Sequence, residues 1–155
     1  MNPQPAAGLS TDMAGLPELI GLRLGPTDWA TMTQEQVNRF ADLTGDHNFL
    51  HVDPERARTT RFGGTITHGY YSLSLLAPVM QLLQVTDAAT SVNYGLDKVR
   101  FPAPLLVGSQ WRGVGEVTEA TEIEGGLQAK LLARIEIKGS ERPAVVAECV
   151  ARFYA

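Results

Sequence analysis

The sequence predicts an α+β domain in which a curved antiparallel sheet wraps around one central buried helix. Three observations predict it. Helix signals crowd the first third of the chain, a segment apolar on all sides follows near the middle, and the second half changes from helical to strand periodicity. At 155 residues the chain is sized for one domain, and such a domain buries roughly two-thirds of its unfolded surface. No internal repeat divides it.

Residues 1–15, with Pro3, Pro5, Gly8, Ser10 and Gly15, have no apolar period and read as a flexible N-terminal tail, leaving the domain to residues 16–155. The first helix starts behind Thr33, because Gln36 three residues on completes a capping box and Val37, Phe40, Ala41 and Thr44 then share a face. Gly45 stops it. Residues 46–52 form a tight loop, and a short second helix opens at Asp53 as N-cap with Pro54 in its first turn. Over residues 70–83 apolar side chains (Leu73, Leu75, Leu76, Val79, Met80, Leu82, Leu83) point every way, which marks a helix covered all round at the centre of the fold. Pro78 leaves the Ser74 carbonyl without its usual donor, so a bend rather than a break is expected there.

Further on, Ala129, Leu131, Ala133, Ile135 and Ile137 alternate with Gln128, Lys130, Arg134 and Glu136 in a strand pattern; Leu132 is the one apolar residue on its polar side. Gly125-Gly126 signals a hairpin with an earlier strand over residues 111–122. A turn at residues 138–143 leads to a last strand whose apolar face is Val145, Ala147, Cys149, Ala151 and Phe153.

Composition narrows the function classes. Hydrophobic residues make up 44% and charged residues 19%, which fits a globular protein. The net charge of −4, from 13 basic and 17 acidic residues, includes no basic run that would track a nucleic-acid backbone. The longest apolar segment is broken by Ser74, Pro78 and Gln81 and is too short to cross a membrane. The N-terminus has no charged region followed by an apolar run, so secretion is not indicated. Cys149 stands alone and suits the reducing cytoplasm.

Chemistry concentrates in Thr44-Gly45-Asp46-His47-Asn48-Phe49-Leu50-His51, where a carboxylate, two imidazoles and a carboxamide follow directly on a helix stop. Asp46 and His51 could hold one water between them, the carboxylate accepting its proton and the imidazole exchanging protons near neutral pH. The loop alone also allows a plainer reading, with Asp46 as a turn cap and His51 as a satisfied core histidine. Some twenty residues on, Phe62-Gly63-Gly64-Thr65-Ile66-Thr67-His68-Gly69 feeds into the apolar helix. Gly69 then sits at a helix N-terminus, where free N–H groups and the positive dipole end stabilise a carbonyl oxygen gaining negative charge. These glycines would serve turns equally well.

The run from Gly45 to His51 followed by Thr67-His68-Gly69 resembles the signature of the MaoC-like, (R)-specific enoyl-CoA hydratases. The resemblance continues through Asn93-Tyr94-Gly95-Leu96-Asp97-Lys98-Val99-Arg100-Phe101-Pro102-Ala103-Pro104 and Val107-Gly108, which are similar to the strand and turn after the central helix in stand-alone bacterial members. It implies a single hot-dog fold and hydro-lyase activity: water added to trans-2-enoyl thioesters to give (R)-3-hydroxyacyl thioesters. It implies Asp46 and His51 as the catalytic dyad, Asn48 as a supporting hydrogen-bonder and the Gly69 N–H as donor to the thioester carbonyl. The substrate would be an acyl-CoA or acyl carrier protein thioester, with no metal or organic cofactor, in a cytoplasmic homodimer. One departure stands out: Phe49 occupies a position where the family often has proline, so the loop is less rigid or Phe49 walls the acyl pocket.

Three other readings compete. His47 and His51 have the spacing of metal ligands on a helix, but Gly45 ends the helix before them. A hot-dog thioesterase would use the same fold and helix N-terminus. A non-catalytic acyl-thioester binding protein would keep the pocket and Gly69 without requiring the dyad. Arg56, Arg58, Arg61, Lys98 and Arg100 are candidates to meet coenzyme A phosphates, against the plainer reading of a solvated basic edge.

Overall fold

The computed structural model describes residues 8–155. In chain order its elements are β1 (Leu9–Thr11), a 3-10 turn (Leu16–Leu19), β2 (Arg23–Leu24), β3 (Ala30–Thr31), α1 (Gln34–Thr44), α2 (Phe49–Val52), α3 (Pro54–Arg58), α4 (Gly69–Ser74), α5 (Ala77–Met80), β4 (Leu83–Val85), β5 (Thr90–Arg100), β6 (Gln110–Ile123), β7 (Gly126–Ile137) and β8 (Val145–Tyr154). The main sheet runs β2-β6-β7-β8-β5, with β3 also on β6, and all its pairings are antiparallel. Helices lie against one face of it, the α+β arrangement expected.

The sheet is where the sequence pattern reads most directly. β6 and β7 pair from Trp111↔Ile137 to Ile123↔Gly126 around Gly125, whose φ of 76° lies in the left-handed region that glycine tolerates. Alternation then buries Val117, Ala129, Leu131, Ala133 and Ile135 together with Val145, Ala147, Cys149 and Phe153 of β8. Among the described residues β5 pairs with β8 alone and closes one edge. The capping box at Thr33 and Gln36, the Gly45 stop and the Asp53-Pro54 start are all present.

The central helix differs from expectation in three respects. It is two short helices, α4 and α5, joined through Leu75 and Leu76, whose ψ angles of −10° and −15° tighten the turn; the Leu76 N–H donates to Leu73 instead of Ser72. Pro78 falls in the first turn of α5, where its missing N–H costs no helical bond, so the break lies upstream of the proline. α5 ends at Met80, and Leu83 already belongs to β4. Nor is the segment covered all round within one chain: Leu75, Leu76, Val79 and Leu82 are buried, but Tyr70 is 80% exposed.

Two glycines let α5 lie on the sheet. A Cβ at Gly113 would come within 2.3 Å of Val79 Cγ2, and one at Gly115 within 2.9 Å of Val79 Cγ1. Val79 itself is fully buried. The alternating glycines of β6 thus form a trough for one side chain of α5.

The flexible-tail expectation needs correction in its second half. Leu9–Thr11 pair in parallel with Leu83–Val85, the Leu9 N–H donates to Leu82, and Leu9 packs on the core. A three-residue parallel strand leaves no local sequence pattern, since its partner is supplied from some seventy residues away. Residues 1–7, the rest of that expectation, lie outside the described residues.

Candidate active site

The expected loop over residues 46–52 contains a helical turn, α2. Gly45 takes φ 77° and turns the chain out of α1, after which the Asn48 side chain accepts from the Leu50 N–H at 3.0 Å and caps α2. Asp46 Oδ1 accepts from the Asn48 N–H at 3.3 Å, an Asx turn that fixes the carboxylate beside α2. Asn48 therefore has a structural task, with its amide nitrogen as the remaining donor. Phe49 is the first residue of α2, a position that also suits proline, and lies beneath the Arg56 guanidinium at 3.9 Å.

His51, one turn into α2, is half-buried. Its Nδ1 lies 2.7 Å from the Ile66 carbonyl oxygen, which can only accept, so Nδ1 carries the proton and the neutral ring keeps a bare lone pair on Nε2. That carbonyl is held firmly: the Ile66 N–H donates to Leu50, Ile66 bridges to Leu106, and the Thr67 N–H donates to Leu105. A carboxylate oxygen of Asp46 and a ring nitrogen each of His51 and His68 lie within 4.8 Å of one another. The structure thus brings Asp46 and His51 together.

Two supporting residues escaped the sequence reading. Gln34 donates through Nε2 to the His51 carbonyl at 2.6 Å and accepts from Thr65 Oγ1 at 2.6 Å, tying α2 to the segment that leads into α4. Nothing in the sequence separates it from an ordinary helix surface glutamine. His68, 2% exposed, lies behind the pair: its Nε2 is 2.9 Å from the Asp46 carbonyl oxygen and its ring stacks on His51 with centroids 3.8 Å apart. A polar residue directly before a helical apolar run was the available signal, and the resemblance had drawn on it only as part of a motif.

Asp46, His51 and His68 are all metal-ligand types with ligand atoms within 4.8 Å of one another, but one nitrogen of each ring is already engaged by a carbonyl, His51 Nδ1 by Ile66 and His68 Nε2 by Asp46. His47 is exposed and pairs with Asp42 at 2.9 Å; that hydrogen bond raises its imidazole above the ordinary value. It does not join His51.

Gly69 follows His68 as the first residue of α4, where an N–H has no partner within the helix. A Cβ there would sit 3.3 Å from the Phe101 ring, so the aromatic edge of the segment after β5 leans over Gly69. A cavity of about 360 Å³ lies along α4 and α5 from the neighbouring residue Tyr70 onward, lined also by Leu73, Leu76, Met80, Leu96 and Cys149. Burial pushes the Cys149 thiol up to about 11, so it presents an inert apolar wall.

The phosphate candidates are spread out. Arg56 and Arg61 each cover an aromatic ring, Phe49 and Phe62, and Arg100 donates to the Val99 carbonyl.

A helix-packed antiparallel sheet of this order, with a carboxylate and an imidazole gathered near the start of α4, is the architecture of a hot-dog-fold protein. Residues 17–136 match the MaoC like domain, and the chain belongs to that family. It is 45% identical to the 3-hydroxyacyl-thioester dehydratase Z of Mycobacterium tuberculosis, over 92% of this chain and 96% of that one. It is 38% identical to the nodulation protein N of Rhizobium leguminosarum bv. viciae, over 89% and 88% of the two chains. Among solved structures, the (R)-hydratase from A. caviae involved in PHA biosynthesis superposes with a TM-score of 0.71 at 30% identity, over 85% of this chain and 94% of that one.

Proposed function

We propose that this protein is an (R)-specific enoyl-CoA hydratase, equally a 3-hydroxyacyl-thioester dehydratase, in which Asp46 and His51 hold the reacting water. The observation that carries the reading is a His51 ring held by its Nδ1 bond to Ile66, in a cluster where a ring nitrogen of His51 and a carboxylate oxygen of Asp46 lie within 4.8 Å of each other. A water between two acceptors donates a hydrogen to each and turns its oxygen lone pair outward. That oxygen attacks C3 of a trans-2-enoyl thioester while the dyad takes up a proton; C2 then receives a proton from the same side. Syn addition on this face gives the (R)-3-hydroxyacyl thioester, and the reverse path is dehydration.

The thioester conjugated to the alkene supplies the activation, so no metal or organic cofactor enters. Negative charge gathers on the thioester oxygen as C3 is attacked, and the Gly69 N–H at the start of α4 is the donor that would receive it. The acyl tail runs into the cavity along α4 and α5, and the thiol carrier, coenzyme A or an acyl carrier protein, remains at the mouth.

The working unit we propose is a homodimer. β5 is an edge strand, and Val92, Tyr94, Leu96 and Phe101 are 41–57% exposed on and beside it, next to Tyr70. A second copy would cover this apolar edge. No helix among the described residues is long and apolar enough to cross a membrane. Fatty-acid metabolism in the reducing cytoplasm suits a chain with one buried cysteine.

The test follows the conjugated absorbance of crotonyl-CoA and of longer enoyl-CoA and enoyl-carrier-protein thioesters. The expected result is loss of absorbance without free thiol, and kcat lower by about 10²–10⁴-fold in Asp46→Asn and in His51→Ala. Thiol release would identify a thioesterase, and inertness towards every thioester would leave a binding protein.

A further inference from the structure

We infer that His68 is a positioning residue for this reaction: a histidine locked as the neutral Nε2–H tautomer that holds Asp46 through its main chain and backs the His51 ring. The inference rests on the hydratase reading for what is positioned, and on geometry alone for how.

The tautomer follows from its partners. The Asp46 carbonyl can only accept, so the 2.9 Å contact places the proton on His68 Nε2. Nδ1 is buried with no partner among the described residues, so a second proton there would bury an N–H facing no acceptor. The ring is only 2% exposed, and burial pushes its imidazole below the ordinary histidine value. The titratable groups around it are His51 on α2 and Asp46 and His47 from the turn after α1; the His51 and His47 charges reinforce that direction and Asp46 opposes it. Phe40 of α1 packs at 5.0 Å, tilted 50°. A ring that stays neutral cannot compete with His51 for the proton in transit.

Its place in the chain gives this fixed ring leverage. The Nε2–H bond anchors the residue whose carboxylate holds the water. The 3.8 Å stack sets the tilt of His51 and offers an uncharged π face to the imidazolium that forms when His51 takes a proton. His68 is also the N-cap residue of α4, with ψ 143°, so its own backbone aims the Gly69 N–H. One residue thereby ties together three groups, two through its side chain and one through its backbone, and a small misplacement of such groups costs up to about 100-fold in rate.

Two substitutions separate the donor from the ring. His68→Phe keeps the stack and volume without the N–H, whereas His68→Gln carries an amide N–H to about the reach of Nε2. The expected result is a kcat about 10–100-fold lower in His68→Phe, with KM within about twofold, and recovery of most of that loss in His68→Gln. Nitrogen-15 NMR of the three histidines gives a reading independent of turnover. His68 should remain the neutral Nε2–H form below the ordinary histidine value, and His51 should lose its uniform Nδ1–H tautomer in His68→Phe. Equal kcat in all three proteins, a His68 that carries its proton on Nδ1, or ordinary titration of His68 would each overturn the inference. A wild-type protein inert towards all enoyl thioesters would remove the hydratase reading, and the NMR result would then decide the role of His68 by itself. If His68→Phe fails to fold, the wild-type tautomer and the kcat of His68→Gln still decide it.

Discussion

The two halves of the broken central helix meet opposite fates. α5 is wedged into the sheet, its Val79 fully buried over Gly113 and Gly115. α4 is open at its start: Gly69 offers an unpaired N–H beneath a half-exposed Phe101, and Tyr70 is 80% exposed. The break at Leu75 and Leu76 lies between them. Close packing and an accessible N-terminus are therefore supplied by separate pieces of one segment.

The largest effect should come from the open half. Proline is tolerated at the first position of a helix, and His68, at φ −55° and ψ 143°, already has the torsions a residue before proline prefers. Gly69→Pro should therefore keep the fold and remove only the proposed donor, lowering kcat by about 10²–10³-fold. Gly69→Ala is its control. It retains the N–H, and its methyl meets a Phe101 ring with room to shift, so its kcat should fall by no more than about tenfold and its Tm should hold. Equal losses in the two variants would show that the N–H does not act in the reaction, and the contrast between the halves would reduce to packing.

In the packed half the effect should be on stability instead. Gly113→Ala places a methyl within 2.3 Å of Val79 Cγ2, where nothing flexible can move aside. Overpacking of this kind costs about 1–3 kcal/mol, a Tm lower by about 2–4 °C for each kcal/mol in a chain of this size. Thermal unfolding measures it, and Val79→Ala in the same chain should recover part of the loss because the two positions touch. Full additivity would mean that α5 does not bear on the β6 trough.

How much of this was legible in the sequence follows the same division. Local chemistry could be read: the Thr33-Gln36 box, the Gly45 stop, the Asp53-Pro54 start and the alternation of β7 are each written within a few residues. The pairing of Leu9–Thr11 with β4, the trough at Gly113 and Gly115 and the exposure of Tyr70 depend on partners far along the chain, which no window contains. The candidate site divides likewise. Asp46 and His51 stood out because polar density after a helix stop is unusual. Gln34 and His68 act through contacts 17 to 31 residues away in sequence, which no local pattern signals.

Met80 is the last residue of α5. It lines both the cavity along α4 and α5 and a second of about 580 Å³ that extends beside β4 and β5. Met80→Trp should narrow that passage while leaving the dyad untouched. Kinetics on crotonyl-CoA should then stay within about threefold of wild type, whereas kcat/KM for an eight-carbon or longer enoyl-CoA should fall about tenfold or more. An equal fall for all lengths would mean that the tail leaves the site by another route.

Acid should weaken the open half alone, and His68 is the reason. Its folded-state value lies below the ordinary value of 6.5. Above that pH the ring is neutral in both folded and unfolded chains and costs nothing. As pH falls below it, the unfolded chain binds the proton first, so stability drops until the folded-state value is passed. His47 has the opposite sign, because its bond to Asp42 favours the charged ring, but it is exposed and present in every variant. The difference between wild type and His68→Phe therefore isolates His68: between pH 7 and pH 5 the wild-type Tm should fall more steeply than that of the variant. Parallel slopes would mean that His68 takes up its proton without loss of the fold, and the buried, neutral anchor behind α4 would then be no more constrained than the surface around it.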